Sequence, residues 1–307
     1  MVRTVNEDRS KAKFLRELPL YIMLIPAVIL VFIYSYLPMV GIGIAFQRFV
    51  PANGLFGSPW VGLHNFRTLF SLPDTWQVIG NTIFISFFKM IGGVIAPVVF
   101  ALILNEISFK PARRTFQTMV YLPNFLSWII LSGIFIDILS PTRGIVNAGL
   151  MKLGLSPIFF LGDPHWFPFT MIFTDIWKGF GFGSVIYLAA LASVDPTLYE
   201  SAVIDGANRW KQTWHITLPG ITSTIILMTV LSMANILNGG FDQIFNMYNP
   251  AVYSTGDILD TMIYRMGIQN AQFAVSTAAG LFKSGISFIF IVTSYYLADK
   301  FAGYRIF

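Results

Sequence analysis

The chain alternates between long apolar blocks and shorter polar intervals. Six blocks are long enough to cross a hydrocarbon core of about 30 Å as helices, which takes roughly 20 residues. They run Leu20–Phe46, Val78–Leu104, Phe116–Leu139, Phe167–Ala192, Leu218–Leu237 and Leu281–Ala298. The first is too long for the apolar core of a cleaved leader, and no small-residue cleavage site follows it, so it reads as a retained span. Three intervals on one side are long. Residues 47–77 carry Trp60 and Trp76; 140–166 holds an amphipathic stretch near Ile145–Leu153; 238–280 predicts a short helix from Asp257 to Met266. Intervals of this length either carry function and partner contacts or simply lie on the membrane face. No internal repeat is visible, unlike the inverted repeats common in secondary transporters.

Composition narrows the class. Of 307 residues, 55% are apolar and 11% charged, and the mean hydropathy is +0.67. Soluble domains carry about 25% charge. A chain with less than half of that cannot coat a soluble surface, which excludes a soluble enzyme, a disordered scaffold and a nucleic-acid binder. The chain has no cysteine, so disulfides, thiolate metal sites and Cys nucleophiles are excluded as well. The net charge of +5 marks topology. Twelve of the 20 Lys and Arg residues fall on one side: Arg3, Arg9, Lys11, Lys13, Arg16, Lys110, Arg113, Arg114, Arg209, Lys211, Lys300 and Arg305. Only Arg48, Arg67, Arg143, Lys152 and Arg265 fall on the other. By the positive-inside rule, both termini and the 193–217 loop are cytoplasmic.

The chain has no motor of its own. It contains no G-x-x-x-x-G-K-[S/T] phosphate cradle; the nearest string, Gly280 to Ser284, lacks the glycine before Lys283. His64, His165 and His215 lie in separate loops without metal-ligand spacing. Ser86-Phe87-Phe88-Lys89 matches S-x-x-K by chance, within an apolar span and without a companion motif.

The informative segment is the 193–217 loop. Asp195 is an N-cap and Pro196 suits the first helical position. Leu198, Tyr199, Ala202, Val203 and Gly206 share one helical arc, with Glu200, Ser201 and Ile204 opposite. Gly206 permits a sharp bend. Trp210 and Trp214, one turn apart beside Arg209 and Lys211, suit a headgroup layer before Pro219 opens the fifth span. On pattern alone, this is an interfacial helix anchoring two spans.

A resemblance changes that balance. Glu200-Ser201-Ala202, three residues, Gly206, nine residues, Ile216, one residue, then Leu218-Pro219 resembles the E-A-A-x3-G-x9-I-x-L-P loop of ABC importer permeases. Every spacing agrees, and Ser201 replaces Ala, small for small. The strings Trp60 to Phe66, Tyr121 to Trp128, Phe159 to Pro164, Asp175 to Lys178 and Asp205 to Trp210 are similar to polysaccharide- and oligosaccharide-transport permeases of the carbohydrate uptake subfamily. The resemblance implies an all-α membrane protein with six transmembrane helices, the type I ABC importer permease (MetI-like) fold, in a bacterial plasma membrane. It implies the division 1–19 tail, 20–46 first helix, 47–77 outer loop, 78–300 five-helix core and 301–307 tail. It also implies an ATPase-coupling helix carrying Tyr199, Glu200, Ser201, Ala202, Ile204, Asp205 and Gly206, with Ile204 and Tyr199 supplying apolar contact and Glu200 a charged hydrogen bond. The implied partners are a second permease, two ATPase subunits that use ATP and Mg, an extracytoplasmic solute-binding protein, and lipid. No cofactor would bind this chain itself.

For a saccharide path, Asn124, Trp128, Trp177, Asn235 and Asn238 offer amides and aromatic faces, which equally serve interhelical packing. Charge within spans needs a partner or a wet cavity. Asp175 and Lys178, three apart, read as a mutual ion pair. Lys89, near mid-span, either meets an acidic sugar or caps backbone carbonyls. Asp137 is left without a partner in the sequence, and Lys283 snorkels without a role. Two rivals are weaker. A membrane-embedded transferase needs converging acid/base groups, and an ion-coupled secondary carrier leaves the 199–219 pattern unexplained.

Overall fold

The computed structural model describes residues 2–107, 109–233 and 235–302. The tail 303–307, with Arg305, lies outside the described residues, as do the side chains of Arg3, Arg9, Lys11, Lys13, Arg16 and Lys300.

Helix α1 (Val2–Val31) passes through a π turn (Phe32–Tyr36) into a tighter 3-10 stretch (Leu37–Phe46). It begins at Val2, so the expected tail 1–19 is mostly the start of this helix. Across an outer segment with α2 (His64–Ser71) the chain enters α3 (Thr75–Glu106). Then follow α4 (Lys110–Tyr121), α5 (Trp128–Ile138), α6 (Ile145–Lys152) and α7 (Phe167–Ala192). The short α8 (Pro196–Ile204) leads to α9 (Arg209–Gln212), a π turn (Thr213–Thr217) and α10 (Leu218–Met233). The outer segment holds α11 (Phe241–Met247) and α12 (Leu259–Tyr264), and α13 (Phe273–Ala302) closes the bundle.

Among the described residues, four helices are long and apolar enough to cross a membrane, or six spans if each of two bent pairs counts as one. The expected third span is one of those pairs. It is two helices at 105°. Pro123 lies in a 3-10 turn (Leu122–Phe125) and has no N–H for helix continuation, and Ser127 then caps α5 by accepting from Ile130 N. The fifth span begins at Arg209, not at Pro219. A π turn precedes the proline, so the residue without an N–H sits inside a continuous helix. That span ends at Met233 and turns through Asn235–Leu237. The sixth starts at Phe273, eight residues before Leu281. The Ser276 and Thr277 hydroxyls, which dilute the apolar signal, return to Phe273 O within the helix.

Helices α3 and α7 pack along their lengths and form the spine. Near the coupling loop, Val98, Ala101, Tyr187, Leu191 and Ile221 are buried together. Towards the opposite side, Ile85, Phe167 and Met171 pack against Ile244, Met247 and Ile258, and Leu69, Val78 and Ile79 against Leu259 and Met262. The outer segment is thus part of the core. Asp257, buried, joins Arg265 and Thr261, and Arg265 lies 4.7 Å over the Tyr253 ring. The first span is the opposite case. None of its most apolar window is buried within the chain, a surface suited to lipid or another subunit.

Lys283 does not snorkel. It sits inside α13 and pairs with Asp260 of α12, both largely buried. On the spine, Gly181 of α7 meets α4 so closely that an added Cβ would lie 2.3 Å from Val120 O, a backbone atom that cannot yield. Gly181→Ala is expected to lower the melting temperature of the detergent-solubilised protein, at a cost of about 1–3 kcal/mol. Gly179→Ala, where a Cβ meets open space, is expected to leave it unchanged.

Candidate functional site

Two places gather the residues singled out in the sequence. The first is the 193–217 loop. Asp195 accepts from Thr197 N at 2.9 Å and caps α8. That amide, helped by the Thr197 side chain, holds the Asp195 carboxyl below its ordinary range. The cap is therefore complete at neutral pH and weakens only as pH falls through the lowered value. At the other end Gly206 adopts φ +73°. Its N–H reaches Val203 O and that of Ala207 reaches Ala202 O, a Schellman closure that favours glycine. The Ser201 hydroxyl folds back on Thr197 O, and the Asp205 N–H reaches Ser201 O.

The loop is fastened to the fifth span. Tyr199 OH donates to Thr217 Oγ1 at 3.1 Å, and buried Gln212 donates to Ala207 O at 3.0 Å. Asn208 caps α9, whose Arg209 lies 3.9 Å from Glu106 at the end of α3. Tyr199, half-buried, therefore serves as a strut through its hydroxyl while its ring borders a surface hollow with Glu200 and Val203. Ile204 is 86% exposed, and Leu198, Val203 and Glu200 are exposed beside it. A short helix, stiff at both ends, presents unpartnered apolar and acidic groups.

The second place is a cavity of about 350 Å³ between α3, α7 and the end of α10, lined in part by Ser86, Lys89, Asp175, Ser232, Asn235 and Asn238. Lys89, Asn235 and Asn238 thus converge. Lys89, 7% exposed, donates to Gly239 O at 2.8 Å and to Gln243 Oε1, and its Nζ lies 3.7 Å from Asp175. Gln243 is fully buried and donates onward to Met171 O and Thr174 Oγ1. Gly240 has φ +85°, and a Cβ there would lie 2.9 Å from the ammonium. The ion pair of Asp175 with Lys178 is not formed. Asp175 turns to Lys89, and Lys178 lies 4.8 Å over the Trp128 ring, joining α7 to α5. Trp177 packs edge-on against Phe135, half-buried Asn124 sits in the turn before α5, and neither lines this cavity. Asp137 is exposed near the end of α5. Among the described residues no three His, Asp or Glu groups converge to hold a metal ion.

Residues 90–302 match the family model of the binding-protein-dependent transport system inner membrane component. The chain belongs to this family. This permease is 40% identical over 286 residues to Protein LplB of Bacillus subtilis, covering 93% of this chain and 90% of that one. It is 36% identical to the polygalacturonan/rhamnogalacturonan transport system permease protein YteP of the same organism, covering 96% and 92%. A solved bacterial ABC transporter involved in the import of the acidic polysaccharide alginate has a chain that superposes with a TM-score of 0.88. The identity is 38%, over 95% of this permease and 99% of that chain. The permease is accordingly a transport subunit of the inner membrane, served by a binding protein.

Gln243 and Ser232 were not singled out from the sequence, and Ser86 was named only in a chance S-x-x-K match. Only the spacing of polar residues against apolar runs could have marked them, and single serines and glutamines are common in such runs. Lys89→Met would leave the Asp175 carboxylate and the Gln243 and Gly239 oxygens facing an apolar side chain. Loss of about 1–3 kcal/mol is expected, chiefly from the buried Gln243 and Gly239 oxygens, read as a lowered melting temperature. Lys89→Met combined with Asp175→Asn is expected to recover part of it, which a double-mutant cycle measures.

Proposed function

We propose that this permease moves oligosaccharides or polysaccharide fragments into a bacterial cytoplasm by alternating access, with both termini and the 193–217 loop on the cytoplasmic side. The observation that carries the reading is the exposed, doubly capped α8, tied to the fifth span by Tyr199 and joined to α7 through the turn 193–195 at a 70° bend. The chain carries no phosphate cradle, so the energy comes from two ATPase subunits that use ATP and Mg. Glu200, Ser201, Ala202, Ile204, Asp205 and Gly206 form the docking end, with Tyr199 as its brace. A helix gripped by a closing ATPase moves as a rigid body, and α7 and α10 move with it.

A second, similar permease completes the pore, and the wall formed by Lys89, Asn235 and Asn238 is this chain's share of the path. Asn124, Trp128, Trp177 and Lys178 flank it and shape the neighbouring helices. The outer segments 47–77, 140–166 and 238–280 receive the solute-binding protein. Sugars are the cargo on the strength of the alginate transporter and the polygalacturonan/rhamnogalacturonan permease.

In the reconstituted complex, Glu200→Lys is expected to lower saccharide-stimulated ATP hydrolysis roughly tenfold or more, since a charge-assisted hydrogen bond contributes about 1.5–3 kcal/mol. Gly206→Pro is expected to do the same by breaking the helix closure. Unchanged stimulation in both variants would show that α8 does not couple to the ATPases.

A further inference from the structure

We propose that this chain's half of the path selects uncharged saccharide residues and disfavours uronates. The inference rests on the saccharide-import reading. A lysine in a transport cavity is the natural partner for an acidic sugar, but the partners of Lys89 argue otherwise. An ammonium has three N–H donors. Two of them go to Gly239 O and Gln243 Oε1, and the charge is answered by Asp175 Oδ1 at 3.7 Å. Lys89 is also the deeper member of the ion pair, with 7% of its side chain exposed against 36% for Asp175. Both line the cavity, and Asp175 has the larger exposed share. Among the described lining residues there is no second cation.

A uronate entering this space would sit beside the Asp175 carboxylate or would have to displace it from Lys89. Like charges about 5 Å apart repel, Lys89 behind Asp175 offsets part of that repulsion, and a net cost of about tenfold in binding remains. A neutral sugar meets no such cost. Its hydroxyls donate to Asp175, a charge-assisted contact, and exchange hydrogen bonds with Ser232, Asn235 and Asn238. This chain's cavity thus departs from the acidic cargo of the similar alginate transporter.

The test uses the importer assembled from this chain, its partner permease and its ATPases in nanodiscs, without the binding protein, whose own selectivity would otherwise enter. Calorimetric titration compares xylotetraose, which is neutral, with tetragalacturonate. The native complex is expected to bind xylotetraose about tenfold or more tightly than the uronate. Asp175→Asn keeps an acceptor oxygen for Lys89 but removes the exposed negative charge, so it is expected to shift the ratio towards the uronate by about tenfold or more. Tighter uronate binding by the native complex, or an unchanged ratio in the variant, overturns the inference and leaves saccharide import standing. Binding of neither sugar overturns the import reading and the inference with it. Should Asp175→Asn fail to assemble, Asn238→Lys, which adds a cation to the cavity wall, is expected to shift the ratio towards the uronate about tenfold, and an unchanged ratio there overturns the inference.

Discussion

A charged side chain in a bilayer must find its partners within the protein, and Lys89 meets that demand in a way that organises the bundle. Its ammonium draws together three segments that the chain keeps far apart: α3, which carries it; α7, which supplies Asp175; and the entry to α11, which supplies Gly239 and Gln243. Gln243 extends the network to Met171 O and Thr174 Oγ1. Removing any member leaves another buried group unsatisfied, and in apolar surroundings that costs far more than a lost contact at a wet surface. The cavity is a by-product of this network. The same groups that neutralise the lysine form one wall of the space and set its electrostatic character.

The coupling loop follows a different logic. It lies outside the apolar core, where water satisfies stray polar groups, so its stiffness comes from local devices. Asp195 closes one end of α8, the Gly206 turn closes the other, and Tyr199 with Gln212 ties the helix back to the fifth span. A loosely hung helix would absorb a push from a partner by bending. This one is tied to α10 by Tyr199 and joined to α7 by the turn 193–195. The π turn before Pro219 keeps α9 and α10 continuous, while α8 meets α7 at a 70° bend.

Between these two places, much was legible in the residues themselves. The six apolar blocks, the cap at Asp195, the bend at Gly206 and the short outer helix near 257–266 are local properties, set by hydropathy, capping and backbone freedom. The break in the third span was written at Pro123 and Ser127, yet a continuous apolar block hid it, because hydropathy records burial in lipid and not the direction of the axis. The start of the sixth span at Phe273 was hidden for the converse reason: Ser276 and Thr277 are polar in composition but satisfied within the helix. The facing of Tyr199 escaped a helical wheel because its partner, Thr217, belongs to another helix.

The sequence by itself determined that this is a membrane-spanning helical bundle without a phosphate cradle of its own, and that one loop carries the coupling pattern. Hydrophobic length, charge bias and motif spacing are all properties of neighbours along the chain. Only the tertiary structure decided which charge answers which. Asp175 lies three residues from Lys178, yet it pairs with Lys89 of another helix, while Lys178 rests on Trp128 and Lys283 on Asp260. The reason is physical. In a medium of low dielectric the choice among partners depends on distance and burial in space, and both are fixed by how the helices pack.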